Sequence, residues 1–381
     1  MKILHTSDWH LGRQFHGQPL EADHAHVLEQ VLDAVRTHRP DALIIAGDIF
    51  DRASPPAEAV RLFNSFVERF SAGSDAAIVL IAGNHDSGDR LASLAALADR
   101  RRVLIRGPLI SEERPLIITD AHGPVAFSAL PFGNEFAARE CFPDACIAKP
   151  SDVIAAQVAA ARAHVPAGAR WVIVAHAFVA NACASESERP ISVGGVDTVH
   201  PEAFNGAHYV ALGHLHRPQF TGKPHIRYSG SPLAFSFDEG EAQKSMCLVD
   251  LKADGAVTHE LLPFTPLRRV RTITGLFAGL LATAAANPSD DFLEIVLTDQ
   301  GAIVDAMGRL RQHYPNALRM RIAAMETASA VTPSKNAVIA VEPMPVIEEF
   351  FTHVRGTGLH DDERVIVESA LGRAHATELA A

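Results

Sequence analysis

Cysteine is scarce in this chain. Its 381 residues include four cysteines, and no two of them stand in a Cys-x-x-Cys pair: Cys141, Cys146, Cys183 and Cys247. A chain of this length does not need disulfides in order to fold. The cysteine pattern therefore predicts a reduced, cytoplasmic protein.

Long apolar runs are also absent. No run approaches the roughly 18 consecutive apolar residues that would span a bilayer, although 48% of the residues are hydrophobic and 21% are charged. The first residues, Lys2-Ile3-Leu4, begin a strand-like run and lack the apolar stretch and cleavage site of a signal peptide. We expect a soluble protein that is not exported.

The chain has no excess of positive charge. Its 34 basic and 45 acidic residues give a formal net charge of −11. Because neutralisation of phosphates dominates nucleic-acid binding, this balance argues against a protein that grips DNA by charge alone. If DNA is the substrate, metal ions or a partner must contribute to binding.

Five short polar motifs each follow an apolar, strand-like run. The runs are 2–6, 42–46, 78–82, 171–175 and 209–212, and the motifs are Asp8-Trp9-His10, Gly47-Asp48-Ile49-Phe50-Asp51, Gly83-Asn84-His85-Asp86, the single His176, and Gly213-His214-Leu215-His216. In an open α/β sheet the carboxyl ends of the strands share one crevice. The order of the motifs therefore predicts one common site.

The pattern of elements indicates three parts. Residues 1–265 alternate strands with helices, including a helix over Glu21 to His38 and one started by Ser54 as N-cap, which is typical of α/β architecture. A stretch over 180–207 is expected to be a long loop near the site. Residues 266–332 have the order β-α-β-α-β and carry none of the motifs, and residues 333–381 have apolar residues at helical spacing.

The side chains of the motifs suit a pair of metal ions. Asp8 and His10 stand two residues apart and can reach one cation from an extended segment. Asp48 supplies a carboxylate that can bridge two cations about 3.5 to 4 Å apart. Asn84, His176, His214 and His216 complete a mixed nitrogen and oxygen set with four ligands at each centre, and this set does not distinguish manganese, iron and zinc.

His85 follows the ligand Asn84 directly, so in extended chain its side chain points toward the place of a phosphodiester. We expect His85 to orient the phosphate and to protonate the leaving oxygen. A water with a pKa lowered by the two cations would attack phosphorus, without a covalent protein intermediate.

Each motif alone has a plainer explanation. Asp8 and Asp48 could cap the helices that follow, and the glycine pairs could be ordinary turns. Asp51 and Asp86 could orient ligand histidines or cap helices. Caps and turns do not explain why histidine recurs in four of the five motifs, so the whole constellation favours a metal site.

The motifs resemble those of the calcineurin-like metallophosphoesterase superfamily. The resemblance narrows to the SbcD family of nuclease subunits over 2–12, over Gly47 to Arg52 with Pro55-Pro56, and over Ala211 to Gln219. It is strong over residues 1–265 and weaker beyond. It implies a sandwich of mixed sheets flanked by helices, with a small α+β capping domain over 266–332 and a helical tail over 333–381 that binds an ATPase partner.

The resemblance also implies roles for individual residues. One Mn²⁺ would be held by Asp8, His10, Asp48 and His216. The other would be held by Asp48, Asn84, His176 and His214, with His85 catalytic. All eight positions carry the expected residue type.

The implied activity is that of a DNA nuclease in repair, recombination and replication. The family implies ATP-dependent 3′ to 5′ exonuclease action on duplex DNA and endonuclease cutting of hairpins, by a dimer within a heterotetramer containing an SbcC-like ATPase. Two alternatives stay open: an enzyme for small phosphodiesters or phosphoproteins, and a non-catalytic scaffold. The complete ligand set argues against the scaffold.

The sequence leaves two interpretations open for each of two further features. Arg100 to Arg102, Arg268, Arg269 and Arg271 could contact the DNA backbone or form a solvated surface. The tail helix with Phe350 and Phe351 could dock on the partner as an amphipathic helix, or it could pack on its own domain.

Overall fold

The computed structural model describes most of the chain. The described residues are 1–95, 99, 101–188, 198–299, 303–323, 344, 347–348, 358–360, 363–364 and 366–367. Residues Met1–Ile322 form one compact unit and Ala323–Ala381 a second. The expected tail helix with Phe350 and Phe351, and the Ser192 to Gly195 part of the long loop, lie outside the described residues.

The described elements are seventeen strands and seven α-helices. In chain order they are β1 (Lys2–Thr6), β2 (Gln14–Phe15), β3 (Gln18–Pro19), α1 (Glu21–His38), β4 (Ala42–Ile45), α2 (Ala57–Gly73), β5 (Ala77–Ile81), α3 (Gly88–Ala95), β6 (Val103–Arg106), β7 (Leu116–Asp120), β8 (Gly123–Leu130), α4 (Glu135–Cys141), α5 (Pro150–Arg162), β9 (Arg170–His176), β10 (Tyr209–Gly213), β11 (Gln219–Thr221), β12 (Lys223–Tyr228), β13 (Ser245–Leu251), β14 (Val257–Pro263), β15 (Val270–Gly275), α6 (Phe277–Ala286), β16 (Phe292–Leu297), α7 (Ala306–Arg311) and β17 (Ala317–Ile322).

Two mixed six-stranded sheets form the centre of the fold. The first has the strand order β14-β13-β1-β4-β5-β6 and the second β11-β12-β10-β9-β8-β7. In the first sheet β1, β4, β5 and β6 are parallel, and β13 joins β1 antiparallel. In the second sheet β8, β9, β10 and β12 are parallel. This confirms the predicted sandwich of mixed sheets.

Successive apolar side chains of the central strands alternate between two hydrophobic cores. In β1, Ile3 joins the cluster between the sheets while its neighbour Leu4 joins the outer cluster under α1 and α2. In β4, Ile44 and Ile45 divide in the same way. Successive side chains in a strand point to opposite faces, so a strand buried on both sides reads as one continuous apolar run. The outer face of the second sheet packs on α5 in a third cluster.

The first helix begins and ends where the sequence predicts, but the N-cap expected for the second is wrong. Helix α2 begins at Ala57, and Pro56, with φ −66° and ψ 156°, occupies the N-cap without a side-chain cap. A residue before proline is disfavoured in the helical region. The Pro55-Pro56 pair therefore delays the helix beyond the position that Ser54 could cap.

Residues 270–322 carry the expected β-α-β-α-β order. Strands β15, β16 and β17 form a parallel sheet, and α6 and α7 supply Phe277 and Leu310 to its apolar cluster. Phe292 at the start of β16 packs instead against the outer core of the first sheet. Among the described residues, no helix is both long enough and apolar enough to span a bilayer.

One histidine is buried between the two sheets. The ring of His5 on β1 is fully buried, with Nδ1 at 2.9 Å from the Tyr209 hydroxyl and Nε2 at 3.2 Å from the Leu212 carbonyl oxygen. A carbonyl only accepts, so Nε2 carries the proton and donates. Burial lowers the pKa of His5 to about 3.

This histidine should make stability depend on pH. In the unfolded chain His5 takes up a proton below about pH 6.5, whereas in the folded chain it stays neutral down to about pH 3. The free energy of unfolding therefore decreases as the pH falls from 6.5 toward 3. For His5→Gln, we expect the loss of unfolding free energy between pH 7 and pH 5 to be about 2 kcal/mol smaller than in the parent. Urea titrations of both proteins at pH 7 and pH 5 measure this difference in unfolding free energy. His122→Gln, on an exposed turn, should keep the parent's slope, and equal slopes for parent and His5→Gln would refute the assignment.

Candidate metal centre

All five motifs meet at one end of the two sheets. Three follow β1, β4 and β5 of the first sheet, and two lie at the ends of β9 and β10 of the second. The seven predicted ligands and His85 converge there, and the six histidine and aspartate ligands among them are almost fully buried. Among the described residues, three groups of donor atoms lie within 4.8 Å of one another and could each hold an ion: Asp8, His10 and His216; Asp8, Asp48 and His176; and His10, Asp51 and His85.

The Asp48 carboxylate lies between two imidazoles. Its Oδ2 atom is 3.6 Å from His10 Nε2 and 3.5 Å from His176 Nε2. Its Oδ1 atom accepts the backbone N–H of His85 at 2.8 Å. One oxygen thus faces both histidines while the other holds the loop after β5, and this placement would allow two cations to share the first oxygen.

Two histidine nitrogens face each other on one side of Asp48. His10 Nε2 and His216 Nε2 are 3.2 Å apart, and Asp8 is in the same group of donors. The carboxylate of Asp8 also accepts the backbone N–H of His214 at 2.9 and 3.1 Å. It therefore ties the motif after β1 to the motif after β10, across the two sheets.

Asn84 joins the other two histidines. Its Oδ1 atom is 2.9 Å from His176 Nε2 and 3.1 Å from His214 Nδ1. His176 Nδ1 lies 2.9 Å from the carbonyl of Ala46, which only accepts, so this nitrogen carries a proton. The Nε2 atom of His176 is the one turned toward Asp48 and Asn84.

His85 is held beside the ligands by a different bond. Its Nδ1 atom lies 2.8 Å from the backbone carbonyl of Asp51 and its ring is 4.6 Å from that of His10, edge to face. The Asp51 carboxylate is 3.6 Å from His10 Nδ1. Asp51 therefore supports two site histidines, with its side chain toward His10 and its backbone toward His85.

Strained backbone marks the ligand positions. Asp8, His10, Asp48 and His214 have φ values of 53°, 48°, 49° and 106°. Positive φ is uncommon outside glycine and persists where the surrounding structure enforces it, often at functional sites. The surrounding structure therefore holds these four residues in backbone conformations that are intrinsically disfavoured.

Two glycines leave room for the donors. A Cβ atom on Gly83 would lie 2.1 Å from Asp48 Oδ1, and one on Gly47, which has φ 91°, would lie 2.4 Å from His176 Nδ1. Neither contact is possible for a real side chain. The two glycines thus let the backbone approach the side chains of Asp48 and His176 closely. The oxygen and nitrogen atoms gathered there are of the kind that binds divalent cations.

Burial and charge shift the titration of the donors. Burial lowers the pKa of His10 to about 3 and raises that of Asp8 to about 6. Burial would also lower the pKa of His176, but the Asp48 carboxylate outweighs it and raises that pKa to about 9. Binding of a cation at His176 Nε2 requires loss of this proton.

Asp86 joins two ligand loops instead of capping a helix or orienting a histidine. Its carboxylate accepts the backbone N–H groups of Ile49, Phe50 and Gly83 at 2.9 to 3.1 Å. Burial and then Asp48 raise its pKa to about 7. The position of Asp86 beside the ligands was visible in the sequence, but its backbone partners were not.

The family model of the calcineurin-like phosphoesterases matches residues 1–218. The chain belongs to the calcineurin-like phosphoesterase family. A second model, described as the type 5 capsule protein repressor C-terminal domain, matches residues 263–355. The domain limits at 265 and 332 stay predictions.

The chain is also similar to a relative over nearly its whole length. It is 28% identical over 372 residues to the SbcD subunit of the nuclease SbcCD of Staphylococcus saprophyticus, and the match covers 97% of this chain and 98% of the relative. This confirms the resemblance drawn from the motifs. A solved structure of GAP50, the anchor in the inner membrane complex of Plasmodium, matches with a TM-score of 0.41 at 11% identity, over 69% of this chain and 84% of that one.

The fit around Gly83 can be tested by Gly83→Ala. The added methyl group collides with Asp48, so we expect a loss of about 1 to 3 kcal/mol of stability and a smaller rise in Tm on addition of MnCl₂, because a bound ion stabilises only the folded state. Differential scanning calorimetry with and without the salt measures both. Gly73→Ala, where a Cβ meets nothing within 4 Å, is the control. An undiminished Mn²⁺ response in Gly83→Ala would contradict the assignment.

Proposed function

We propose that this protein is a metal-dependent DNA nuclease, the SbcD-type subunit of an SbcCD-like complex. The observation that carries the proposal is the convergence of seven donor side chains and His85 at one end of both sheets. The similarity to a nuclease subunit extends over 97% of the chain, and so includes the residues beyond the phosphoesterase model.

We assign the donors to two centres. Asp8, His10, Asp48 and His216 would hold one ion, and Asp48, Asn84, His176 and His214 the other. The contacts of Asp48 Oδ2 with both His10 and His176 support its shared position. Two divalent ions, which we propose to be Mn²⁺, would lower the pKa of a water and neutralise charge on the phosphate.

His85 would act as the acid. With Nδ1–H donated to the Asp51 carbonyl, a second proton must sit on Nε2, and from that atom it can pass to the leaving oxygen of the phosphodiester. The hydrogen bond from its backbone N–H to Asp48 holds the His85 backbone beside the donors, and the Asp51 carbonyl orients its ring. His85 therefore contributes to catalysis without binding a cation.

DNA binding would depend on a partner. The net charge of −11 limits the grip of this chain on phosphates. Among the candidate arginines within the described residues, Arg102 contacts Asp75 at 3.3 Å and Arg271 contacts Asp291 at 2.8 Å. These pairs favour a structural surface role for both residues.

We propose an SbcC-like ATPase as that partner, in a heterotetramer that contains a dimer of this chain and acts on duplex DNA and hairpins in the cytoplasm. The tail over 333–381, which follows the capping domain over 266–332, would provide the attachment. Arg268 pairs with Asp23 of α1, and this contact links the start of the proposed capping domain to the phosphoesterase region.

The role of His85 is tested by His85→Ser. Loss of the proton donor should lower the rate of DNA cleavage by about 10² to 10⁴-fold, while binding of Mn²⁺ is retained because no ligand is removed. Single-turnover cleavage and Mn²⁺ titration measure the two effects, with His122→Ser as the control. Unchanged cleavage would remove His85 from the mechanism.

The substrate class is tested with the purified chain in Mn²⁺. We expect release of nucleotides from linear duplex DNA and cutting of a DNA hairpin, both stimulated by the ATPase partner with ATP. Hydrolysis of bis(p-nitrophenyl) phosphate serves as the comparison. Activity confined to the small phosphodiester, with and without the partner, would overturn the nuclease assignment.

A further inference from the structure

We infer that Glu239 is a positioning residue for His216, acting through the hydroxyl of Ser187. The inference rests on the proposed role of His216 as a metal ligand. Neither Glu239 nor Ser187 belongs to the five motifs. They lie 52 residues apart in the chain and meet beside the ring of His216.

The hydrogen bonds set the tautomer of His216. Ser187 Oγ lies 2.5 Å from His216 Nδ1 and donates its proton to Glu239 Oε1. A hydroxyl has a single proton, so it must accept from the imidazole, and Nδ1 carries the hydrogen. The lone pair is therefore on Nε2, the atom that faces His10 Nε2 at 3.2 Å.

Glu239 is itself firmly held. It is fully buried, in a short 3₁₀ turn over Phe237–Glu239. Its Oε2 atom accepts from Lys244 Nζ at 2.5 Å, and its Oε1 atom also accepts from Ser236 Oγ at 2.8 Å. The carboxylate thus has partners at both oxygens, which makes burial of its charge tolerable.

Two charged side chains also hold the backbone of His216. Glu188 Oε1 accepts the His216 N–H at 2.8 Å, and Lys244 Nζ donates to the His216 carbonyl at 2.8 Å. Backbone and ring are therefore fixed from three sides. A carboxylate that orients a ligand histidine in this way typically changes metal affinity or activity by about 10 to 100-fold when it is removed.

Glu239→Gln breaks the arrangement at its centre. The amide nitrogen of glutamine must face either Lys244 or Ser187, and both are already donors toward this side chain. Either the hydroxyl or the lysine then loses its hydrogen-bond acceptor, and the lysine loses its counter-charge in both orientations. We expect His216 Nε2 to be less available to a cation.

The experiment is a titration with Mn²⁺, in which the EPR signal of the free ion measures binding. The parent should bind two ions, and Glu239→Gln should bind one of them about 10 to 100-fold more weakly, with cleavage recovering at high Mn²⁺. The matched control is Glu294→Gln, which removes another buried carboxylate, paired with Arg319 and Arg321. It should bind both ions as the parent does.

Ser187→Ala tests the same relay if Glu239→Gln does not fold. It leaves the Glu239–Lys244 pair intact and should weaken the same binding step by a smaller factor. Two tight sites in folded Glu239→Gln, or in folded Ser187→Ala, would overturn the inference while leaving the proposed function standing. Absence of Mn²⁺ binding in the parent would overturn both.

Discussion

The site depends on one buried carboxylate, that of Asp48. One oxygen faces His10 and His176 from the two sheets, and the other receives the N–H of His85. A buried negative charge is costly unless cations or donors surround it. Burial would raise the pKa of Asp48, but His176 and His10 hold it well below its usual range, so the ionised group organises the donors around it.

The two-sheet architecture explains why the donors can meet at all. Asp8 and Asp48 follow strands of the first sheet, whereas His176 and His214 lie at the ends of strands of the second. The apolar cluster between the sheets sets their separation, and the bond from the His214 N–H to Asp8 joins their ends. Packing far from the site thus fixes distances within it.

The geometry also distinguishes the proposed metal ligands from the proposed proton donor. His176 and His216 each donate Nδ1–H to an oxygen, of Ala46 and Ser187, and so present Nε2 to the centre. His85 is anchored through Nδ1 as well, but beside Asp51. In each of these histidines, the oxygen that accepts the Nδ1–H bond determines that Nε2 is the nitrogen facing the centre.

The sequence by itself determined the five strands that precede the motifs, the order of the motifs and the eight residues at their ends, because a strand buried on both faces and the polar residue that ends it are local patterns. The sequence pattern misplaced the start of α2, because Pro56 and not Ser54 occupies the N-cap position. It also gave no sign of Glu239 and Ser187, which reach the site across long chain separations. Only the tertiary structure decided the tautomers, the positive φ values and these contacts, since each depends on atoms that distant segments bring together.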